Sequence, residues 1–266
     1  MPYHSLMGKS IIITGASRGI GRELALQLAE QGAFLTLAAR DTGLLAQVAE
    51  QCVKKGGKAI AVTTDITIED QCKTLIQRAN EVYGQIDVLI NNAGIADKAR
   101  FEELRSLSSG EMVMCVNFWG SIYCTYYAIP YLKKTKGRIV VINSGAGKFP
   151  SPTSIFYGAS KHALDGFFNS LRLELQTSGV TVTSIYPDWV ATGISTRFLG
   201  FDGKTTEKVS SHEYSAINAD KCAKIILKAA GKRKHMTFMS MRQRIGYFLR
   251  PLFPNMIDHI AGKFFD

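Results

Sequence analysis

The strongest constraint on the fold is a glycine-rich turn that follows an apolar β-branched run near the start of the chain. Ile11-Ile12-Ile13 predicts a buried strand. The turn from Thr14 to Gly21 spaces its glycines as GxxxGxG, and apolar residues recur at helical spacing from Arg22 to Gln31. In such a unit the backbone can approach a pyrophosphate closely, and the N–H groups of the first helical turn face it. The pattern predicts a dinucleotide site, although the spacing differs from the common GxGxxG and a tight turn that binds nothing is the alternative.

A tyrosine and a lysine four residues apart form the second informative feature. The stretch Tyr157-Gly158-Ala159-Ser160-Lys161 lies in a segment that is predicted to be helical through about Thr177. A spacing of four residues places both side chains on one face of a helix. A phenol ionises near pH ~10, and a neighbouring ammonium favours the phenolate, so Lys161 is expected to lower the pKa of Tyr157. The pair could protonate a carbonyl oxygen, but taken alone it is more often a solvated helix face.

Several motifs, in this order, resemble those of the short-chain dehydrogenase/reductase family. They are the turn from Thr14 to Gly21, the Asn91-Asn92-Ala93-Gly94 step after the apolar run from Ile86 to Ile90, the four residues Asn117, Ser144, Tyr157 and Lys161, and finally Pro187 and Thr192. Together the motifs span residues 9 to 192. Because they occur in register, coincidence is a poor explanation.

The resemblance implies a Rossmann-type α/β fold, with a doubly wound parallel seven-stranded sheet of order 3-2-1-4-5-6-7 and helices on both faces. The alternation of strand-like and helical stretches agrees with a parallel sheet. Strands are expected near residues 10–14, 33–39, 58–63, 86–90, 137–143, 180–186 and 235–239. Residues 1–240 are predicted to form one NADP(H)-binding domain that includes a substrate loop at 193–218, and residues 241–266 a C-terminal extension.

The resemblance also assigns catalytic roles. Ser144 would donate a hydrogen bond to the carbonyl oxygen, Tyr157 would give the proton, and Lys161 would also hold the nicotinamide ribose. Asn117 would hold a water for proton relay, although a helix-interior asparagine that bonds locally is the alternative. The chain departs from the family pattern at two places. Asn143 stands where a first serine is common, and Asp188-Trp189 follows Pro187 where glycine is usual, so the substrate scope stays open.

The end of the second predicted strand indicates the cofactor. An acidic residue there would bind a ribose 2′-hydroxyl and select NAD, but this chain has Ala39 followed by Arg40, which can pair with a 2′-phosphate. Arg18 is expected in the same region, and Asp41 is expected to cap the next helix. The cofactor is therefore predicted to be NADP(H), with no metal. The residues expected to contact it are Gly15, Ser17, Arg18, Gly19, Ile20, Gly21, Arg40, Asp65, Ile66, Asn91, Ala93, Gly94, Tyr157, Lys161, Pro187, Val190 and Thr192.

Composition excludes other classes of protein. The five cysteines show no CxxC pair and lie near no histidine cluster, which favours a reducing compartment over a disulfide framework or zinc site. Residues 1–8 lack a signal-peptide pattern, and no run of about 18 apolar residues occurs. We expect a cytoplasmic homodimer or homotetramer. The net charge of +10 permits nucleic-acid binding, but no recognition motif supports it.

Most of the positive charge lies near the C-terminus. Residues 221–266 contain ten lysines and arginines but only two acidic residues. From Met241 apolar residues recur at helical spacing, with Pro251 and Pro254 expected to break the helix. Such a tail suits the surface of an anionic membrane, but it could equally pack on its own domain or on a second subunit. The Gly147-Lys148 step, the run from His162 to Leu171 and the tail resemble the 11β-hydroxysteroid dehydrogenase type 1-like branch, whose members tend to act on steroids or lipids at membranes.

Two classes of function follow. The first is an NADP(H)-dependent oxidoreductase that interconverts a ketone or aldehyde and an alcohol, on a hydrophobic, lipid- or steroid-like substrate, with 3-oxoacyl thioester reduction as the alternative. The second is a non-catalytic NADP(H)-binding regulatory protein. The intact Ser144, Tyr157 and Lys161 favour the enzyme. The substrate loop mixes apolar residues such as Phe198 with Lys208 and His212, which identifies no ligand.

Overall fold

The computed structural model describes residues 4–192, 197–207 and 216–262. The strands within these residues are β1 Ser10–Thr14, β2 Phe34–Ala39, β3 Lys58–Thr63, β4 Val88–Asn91, β5 Arg138–Ile142, β6 Thr181–Tyr186, β7 Val190–Ala191, β8 Arg197–Leu199, β9 Thr205–Glu207, β10 Ile217–Asn218 and β11 Met236–Phe238. The helices are α1 Gly19–Ala29, α2 Thr42–Lys54, α3 Glu69–Tyr83, α4 Ser108–Met114, α5 Gly120–Thr135, α6 Ile155–Glu174, α7 Ala219–Gly231, α8 Met241–Leu249 and α9 Pro254–Gly262.

Seven strands form the central sheet, in the order β3-β2-β1-β4-β5-β6-β11. Every neighbouring pair in it is parallel. The predicted order 3-2-1-4-5-6-7 is confirmed, with β11 as the seventh predicted strand. The order steps outwards from β1 in both directions, so a crevice opens between β1 and β4 where the direction reverses.

Apolar side chains cover both faces of the sheet. Ile11 and Ile13 of β1 face a core formed with α1, α2 and α7, whereas Ile12 faces a second core formed with α3, α5 and α6. This is the alternation that a strand imposes on successive side chains. Because both faces are covered by helices, β1 can be apolar along its whole length, as buried parallel strands usually are.

Two predicted helix ends differ from the structure. Helix α1 was expected from Arg22, but it begins at Gly19 inside the glycine-rich turn, because Arg22 N donates to Arg18 O (3.2 Å) and closes the first helical turn there. Helix α6 ends at Glu174, short of the expected end near Thr177, and a 3₁₀ turn continues it to Ser178. The chain then leaves the helix through Gly179, whose φ of 76° suits glycine.

The segment predicted as the substrate loop, 193–218, is described in part. Strands β8 and β9 pair antiparallel, and β10 pairs in parallel with β7 beside the main sheet. Residues 193–196 and 208–215 of this prediction, with Lys208 and His212, lie outside the described residues.

Two short helices form the C-terminal extension. Helix α8 begins at Met241, and α9 has Pro254 as its first residue, where a missing N–H costs nothing. The predicted break between Pro251 and Pro254 is therefore confirmed. None of the helices in the described ranges is long and apolar enough to cross a membrane.

Candidate active site

A cavity of about 1030 Å³ opens at the carboxyl ends of β1, β2, β4, β5 and β6. Its walls combine the glycine-rich turn, the segments that follow these strands, the start of α6 and one face of the C-terminal helices. Ligands of open parallel sheets bind at this edge, where the strand order reverses. The fold thus brings most of the predicted site residues to one cavity.

Close packing explains the glycines of the turn. A Cβ on Gly15 would lie 2.8 Å from Ala93 Cα, and a Cβ on Gly21 would lie 2.3 Å from Gly15 O. The Asn92 side chain holds the two segments together, since its Nδ2 donates to Thr14 O (2.9 Å) and Gly15 O (3.1 Å). Distances below 3 Å to backbone atoms exclude any side chain at these positions, so the turn can lie flat against the segment after β4.

Most residues predicted to contact the cofactor line this cavity. They are Gly15, Ser17, Arg18, Gly19, Ile20, Arg40, Asp65, Ile66, Ala93, Gly94, Tyr157, Lys161, Pro187, Val190 and Thr192. Gly21 and Asn91 are not part of the lining. Gly21 packs inside the turn, and the buried Asn91 donates from Nδ2 to Thr125 Oγ1 (2.9 Å). Both positions support the cavity from behind, and their contact with a cofactor stays a prediction.

Asn117 is also behind the cavity wall. It is fully buried in a π-helical turn, Cys115–Trp119, between α4 and α5. Its Oδ1 accepts from Ile95 N (2.8 Å), while Nδ2 donates to Ile95 O (2.9 Å) and to Ser160 Oγ (2.9 Å). The side chain therefore pins the segment after β4 to α6, and the water relay stays a prediction.

The other three predicted catalytic residues converge on the cavity. Ser144 follows β5, and its Oγ accepts from Ala146 N (3.2 Å). Tyr157 lies in the first turn of α6, and Lys161 follows one turn later on the same face, with Nζ 5.6 Å from the centre of the tyrosine ring. Lys161 Nζ donates to Ile142 O (2.9 Å) at the end of β5. The predicted i, i+4 geometry therefore holds, and β5 anchors it.

Burial dominates the pKa values of this pair. It raises the pKa of Tyr157, while the hydroxyl of Ser144 lowers it and the nearby carboxylate of Asp97 raises it further. Burial also lowers the pKa of Lys161 to about 8. The expectation that Lys161 lowers the pKa of Tyr157 is wrong for this structure, because the ammonium is directed at Ile142 O and loses charge to burial itself.

Three charged side chains meet where β2 ends. Asp41 caps α2, as predicted, because its Oδ1 accepts from Leu44 N (3.0 Å). Its Oδ2 also accepts from Arg18 Nη2 (2.9 Å), and the pKa of Asp41 is lowered first by the Leu44 N–H and then by Arg18. Arg40 is exposed and forms no ion pair with any described residue. Of the two predicted cations, only Arg40 has its charge unpaired.

Several residues of the site carry no signal in the sequence that places them there. Asp97, buried beside the cavity, accepts from Tyr157 N (2.8 Å), and no local motif marks it. The C-terminal helices supply another wall, lined by Gln243, Ile245, Leu249, Met256, Ile257 and Ile260. The helical spacing of the tail was visible in the sequence, but the surface that it covers depends on tertiary packing. The inner face of the tail therefore packs on its own domain, which is one of the alternatives that the sequence leaves open.

Side chains hold this wall in place. Arg242 Nη2 pairs with Asp188 Oδ1 (2.8 Å), and Gln243 Nε2 donates to Pro187 O (3.1 Å). Arg250 Nη1 donates to Lys148 O (2.7 Å) further along the tail. The departure from the family pattern at Asp188 therefore provides the carboxylate that anchors α8. The described residues contain no group of three His, Cys, Asp or Glu side chains that could hold a metal ion.

Comparison with known proteins agrees with this geometry. A short chain dehydrogenase family model matches residues 9–199. The chain is 34% identical over 258 residues to 11-beta-hydroxysteroid dehydrogenase-like 3 of Arabidopsis thaliana, covering 97% of this chain and 81% of the relative. A short chain dehydrogenase/reductase from Burkholderia phymatum, solved in complex with NAD, shares 25% identity at a TM-score of 0.83, covering 94% of this chain and 95% of that one. An alcohol dehydrogenase from the archaeon Thermococcus sibiricus, complexed with 5-hydroxy-NADP, shares 25% identity at a TM-score of 0.75, covering 86% and 94% of the two chains.

Proposed function

The chain belongs to the short-chain dehydrogenase/reductase family of oxidoreductases, and we propose that it transfers hydride between NADP(H) and the carbonyl carbon of a hydrophobic ketone or aldehyde. The observation that carries the proposal is the convergence of Ser144, Tyr157 and Lys161 on a cavity that begins at the glycine-rich turn. The reverse reaction would oxidise the corresponding alcohol.

The residues present fit a dinucleotide. Helix α1 has no side-chain cap and no acidic residue in its first turn, so its free N–H groups suit a pyrophosphate. At one end of the cavity Arg18 and Arg40 suit a ribose 2′-phosphate, and at the other end Lys161 suits the nicotinamide ribose. The unpaired charge of Arg40 is the feature that favours NADP(H) over NAD(H).

The site residues handle the charge that develops on the substrate oxygen. When bound, the reduced nicotinamide supplies hydride to the carbonyl carbon. The Ser144 hydroxyl donates a hydrogen bond to the oxygen as negative charge grows, and the Tyr157 phenol transfers its proton to it. Burial keeps the phenol protonated at neutral pH, as reduction requires. Lys161, with a pKa of about 8, is mostly protonated at pH 7 and can donate from Nζ to the nicotinamide ribose.

The outer part of the cavity supports a hydrophobic substrate. Phe149 and Leu199 line it beside the apolar residues of α8 and α9, among them Ile245, Leu249 and Ile257. The volume of about 1030 Å³ exceeds that of many drug-sized pockets, which suits a site shared by a dinucleotide and a second apolar molecule.

A substrate panel tests the proposal. Ketones, aldehydes, steroids and acyl thioesters are offered with NADPH or NADH, and cofactor oxidation is followed by absorbance. We expect turnover of apolar ketones with NADPH. Turnover confined to acyl thioesters would favour the 3-oxoacyl reductase alternative. NADPH binding without turnover of any compound would favour the non-catalytic regulatory protein.

We also propose that the outer face of the C-terminal helices contacts a membrane surface. Large apolar side chains are exposed there and in the turn between the two helices, including Leu252 in the turn at 70% and Phe248 on α8 at 63%. Arg244 is exposed on the same helix and has no ion pair among the described residues. Apolar side chains flanked by cations are typical of helices that lie on anionic lipid.

Vesicle sedimentation tests this contact. Anionic vesicles should bind more protein than neutral ones, and salt should weaken the binding because charge is screened over about 8–10 Å. Arg244→Glu should release the protein, whereas Lys232→Glu, on the exposed turn after α7, is the control. Arg242 and Arg250 are unsuitable targets because both hold the tail on the domain. Equal binding to both kinds of vesicle would refute the electrostatic contact.

A homodimer or homotetramer remains part of the proposal. The helix pair α4–α5 and the π-helical turn between them expose Met112, Trp119 and Tyr126, the last at 67%. Aromatic residues and methionine are enriched in the cores of protein interfaces. Light scattering after size exclusion should show a dimer or tetramer, and Trp119→Glu should reduce its mass if this face forms the interface.

A further inference from the structure

One buried carboxylate at the cavity has no role in the proposed chemistry. Asp97 is 3% exposed, and its Oδ1 accepts from Tyr157 N (2.8 Å) while Oδ2 accepts from Phe156 N (3.3 Å). These are two of the N–H groups that the start of a helix leaves without a partner. Ser154 Oγ also donates to Asp97 O (2.8 Å). Asp97 therefore caps α6 at the proton donor itself, from a loop sixty residues earlier in the chain.

The same loop pairs with the described part of the substrate loop. Leu199 N donates to Ala96 O (2.9 Å), and Lys98 N donates to Leu199 O (2.9 Å). Asp97 is thus bracketed by two hydrogen bonds to β8, and Leu199 lines the cavity beside it. A displacement of β8 on binding substrate would move the backbone of Asp97, and with it the first turn of α6.

Among the described residues, no cation forms an ion pair with Asp97. Lys98, on the same loop, has its Nζ 5.7 Å from the ring centre of Phe198, and Lys161 on α6 is directed at a backbone carbonyl of β5. Burial raises the pKa of Asp97, and the Tyr157 N–H lowers it. On α6 the carboxylate acts on the phenol of Tyr157, whose pKa it raises.

We propose that Asp97 is a positioning residue that acts through Tyr157: it holds the start of α6 to the substrate loop, and its charge opposes ionisation of the phenol. The inference rests on the proposed function, because it assumes that Tyr157 is the proton donor. In the reducing direction the phenol must carry its proton, so a carboxylate beside it extends the pH range of reduction upwards.

Asp97→Asn tests the charge at almost constant size, and Asp97→Glu restores it. For reduction with NADPH, kcat should fall about tenfold or more in Asp97→Asn, because a small misplacement of the donor is costly. The decline of kcat at high pH should move to lower pH, because the carboxylate no longer opposes ionisation of the phenol. Asp97→Glu should return the decline of kcat at high pH (the alkaline limb of the pH profile) towards its wild-type position. Asp220→Asn, at the start of α7, is the matched control and should change neither quantity.

A role limited to capping the helix would give a different result. In that case Asp97→Asn would have a lower melting temperature, and its kcat would be reduced by the same factor at all pH values. The pH at which kcat declines would not move, and this outcome would overturn the proposal. If Asp97→Asn fails to fold, Asp97→Ser keeps an acceptor without the charge and makes the same prediction.

A measurement without turnover separates this inference from the proposed function. In protein labelled with ¹³C at tyrosine Cζ, the Tyr157 resonance is identified by its loss in Tyr157→Phe. Its titration midpoint should be lower in Asp97→Asn than in the wild type, whether or not a substrate is known. An unchanged midpoint refutes the coupling of the two side chains. A shifted midpoint in a protein that reduces no carbonyl refutes the proposed function and leaves the coupling in place.

Discussion

The two walls of the cavity are built in different ways. The sheet-side wall consists of the segments after β1, β4 and β5 and the start of α6, joined by hydrogen bonds of Asn92 and of the buried side chains Asn117 and Asp97. The tail-side wall consists of α8 and α9, whose outer face is exposed. It is attached through one buried hydrogen bond, from Gln243 to Pro187 O, and through side chains nearer the surface, such as the Arg242–Asp188 ion pair.

Because of this difference, we expect the sheet-side wall to determine the chemical step and the tail-side wall to determine which substrates bind. Proton transfer requires groups held within fractions of an ångström, which buried hydrogen bonds to a sheet can provide. An exposed ion pair between side chains is worth only about 0–1 kcal/mol, so the tail-side wall can shift at little cost. We therefore expect substitutions in the sheet-side wall to change kcat and those in the tail-side wall to change KM for large substrates.

The largest effect is expected at the proton donor. Tyr157→Phe keeps the ring and removes the acidic proton, so kcat should fall by at least about 10²-fold, the usual scale for lost acid–base catalysis. The Kd for NADPH, measured by fluorescence titration, should change little. If Tyr157→Phe turned over substrate as fast as the wild type, Tyr157 would not be the proton donor.

Lys161, a buried cation in the sheet-side wall, is expected to lower the free energy of unfolding while it serves catalysis. Its folded pKa of about 8 lies below the ordinary value of 10.5, so between these pH values the folded protein holds fewer protons than the unfolded chain. The contribution of Lys161 to the free energy of unfolding of the ligand-free protein should therefore rise with pH across this window, by at most about 3 kcal/mol, relative to a variant without the ammonium. Lys161→Met should abolish activity yet lack this rise. Urea unfolding at pH 7 to 10 measures it, and parallel pH dependences would contradict the buried cation.

Cofactor choice should give an intermediate effect. Arg40→Ala should weaken NADPH binding about tenfold or more and leave NADH binding nearly unchanged, because only NADPH carries the 2′-phosphate. Arg18→Ala should have a smaller effect, since Arg18 is already paired with Asp41. Titration of both cofactors into the three proteins decides the matter. A wild type that prefers NADH would refute the selection of NADP(H).

The smallest effect is expected at the tail-side wall. Arg242→Ala removes the ion pair with Asp188, which should raise KM for a bulky apolar ketone by up to about fivefold and leave kcat for a small ketone within about twofold. Arg244→Ala, two residues along on the exposed face of α8, is the matched control. An equal loss of kcat for both ketones would mean that the tail also positions the catalytic groups.

The sequence predicted the sheet-side wall better than the tail-side wall. The turn from Thr14 to Gly21 and the Tyr157–Lys161 spacing are local patterns, and local patterns report directly on a strand, a turn or a helix face. Asp97 was not predicted because its hydrogen-bond partner, Tyr157 N, is sixty residues away and a single aspartate in a loop forms no sequence pattern. For Asn91 the sequence did not indicate that its side chain donates to Thr125, and its contact with the cofactor stays a prediction.

The tail shows a different limit of sequence reasoning. Its helical spacing and the break before Pro254 were predicted, but the apolar residues on α8 and α9 face in more than one direction. Some line the cavity and others lie outside it, and this division depends on where Arg242 and Gln243 attach the first turn of α8. Attachment between distant segments is a tertiary property that periodicity does not encode.

Transfer of a labelled hydride from NADPH to a ketone is the sharpest test of the proposed reaction. The protein is incubated with an apolar ketone and NADPH deuterated at C4 of the nicotinamide, in separate samples for each face of the ring, and the alcohol is analysed by mass spectrometry. We predict one deuterium at the carbinol carbon with one of the two cofactors and at least about 10²-fold less product with Tyr157→Phe. Wild-type protein that binds NADPH but transfers deuterium to no carbonyl compound would contradict the account.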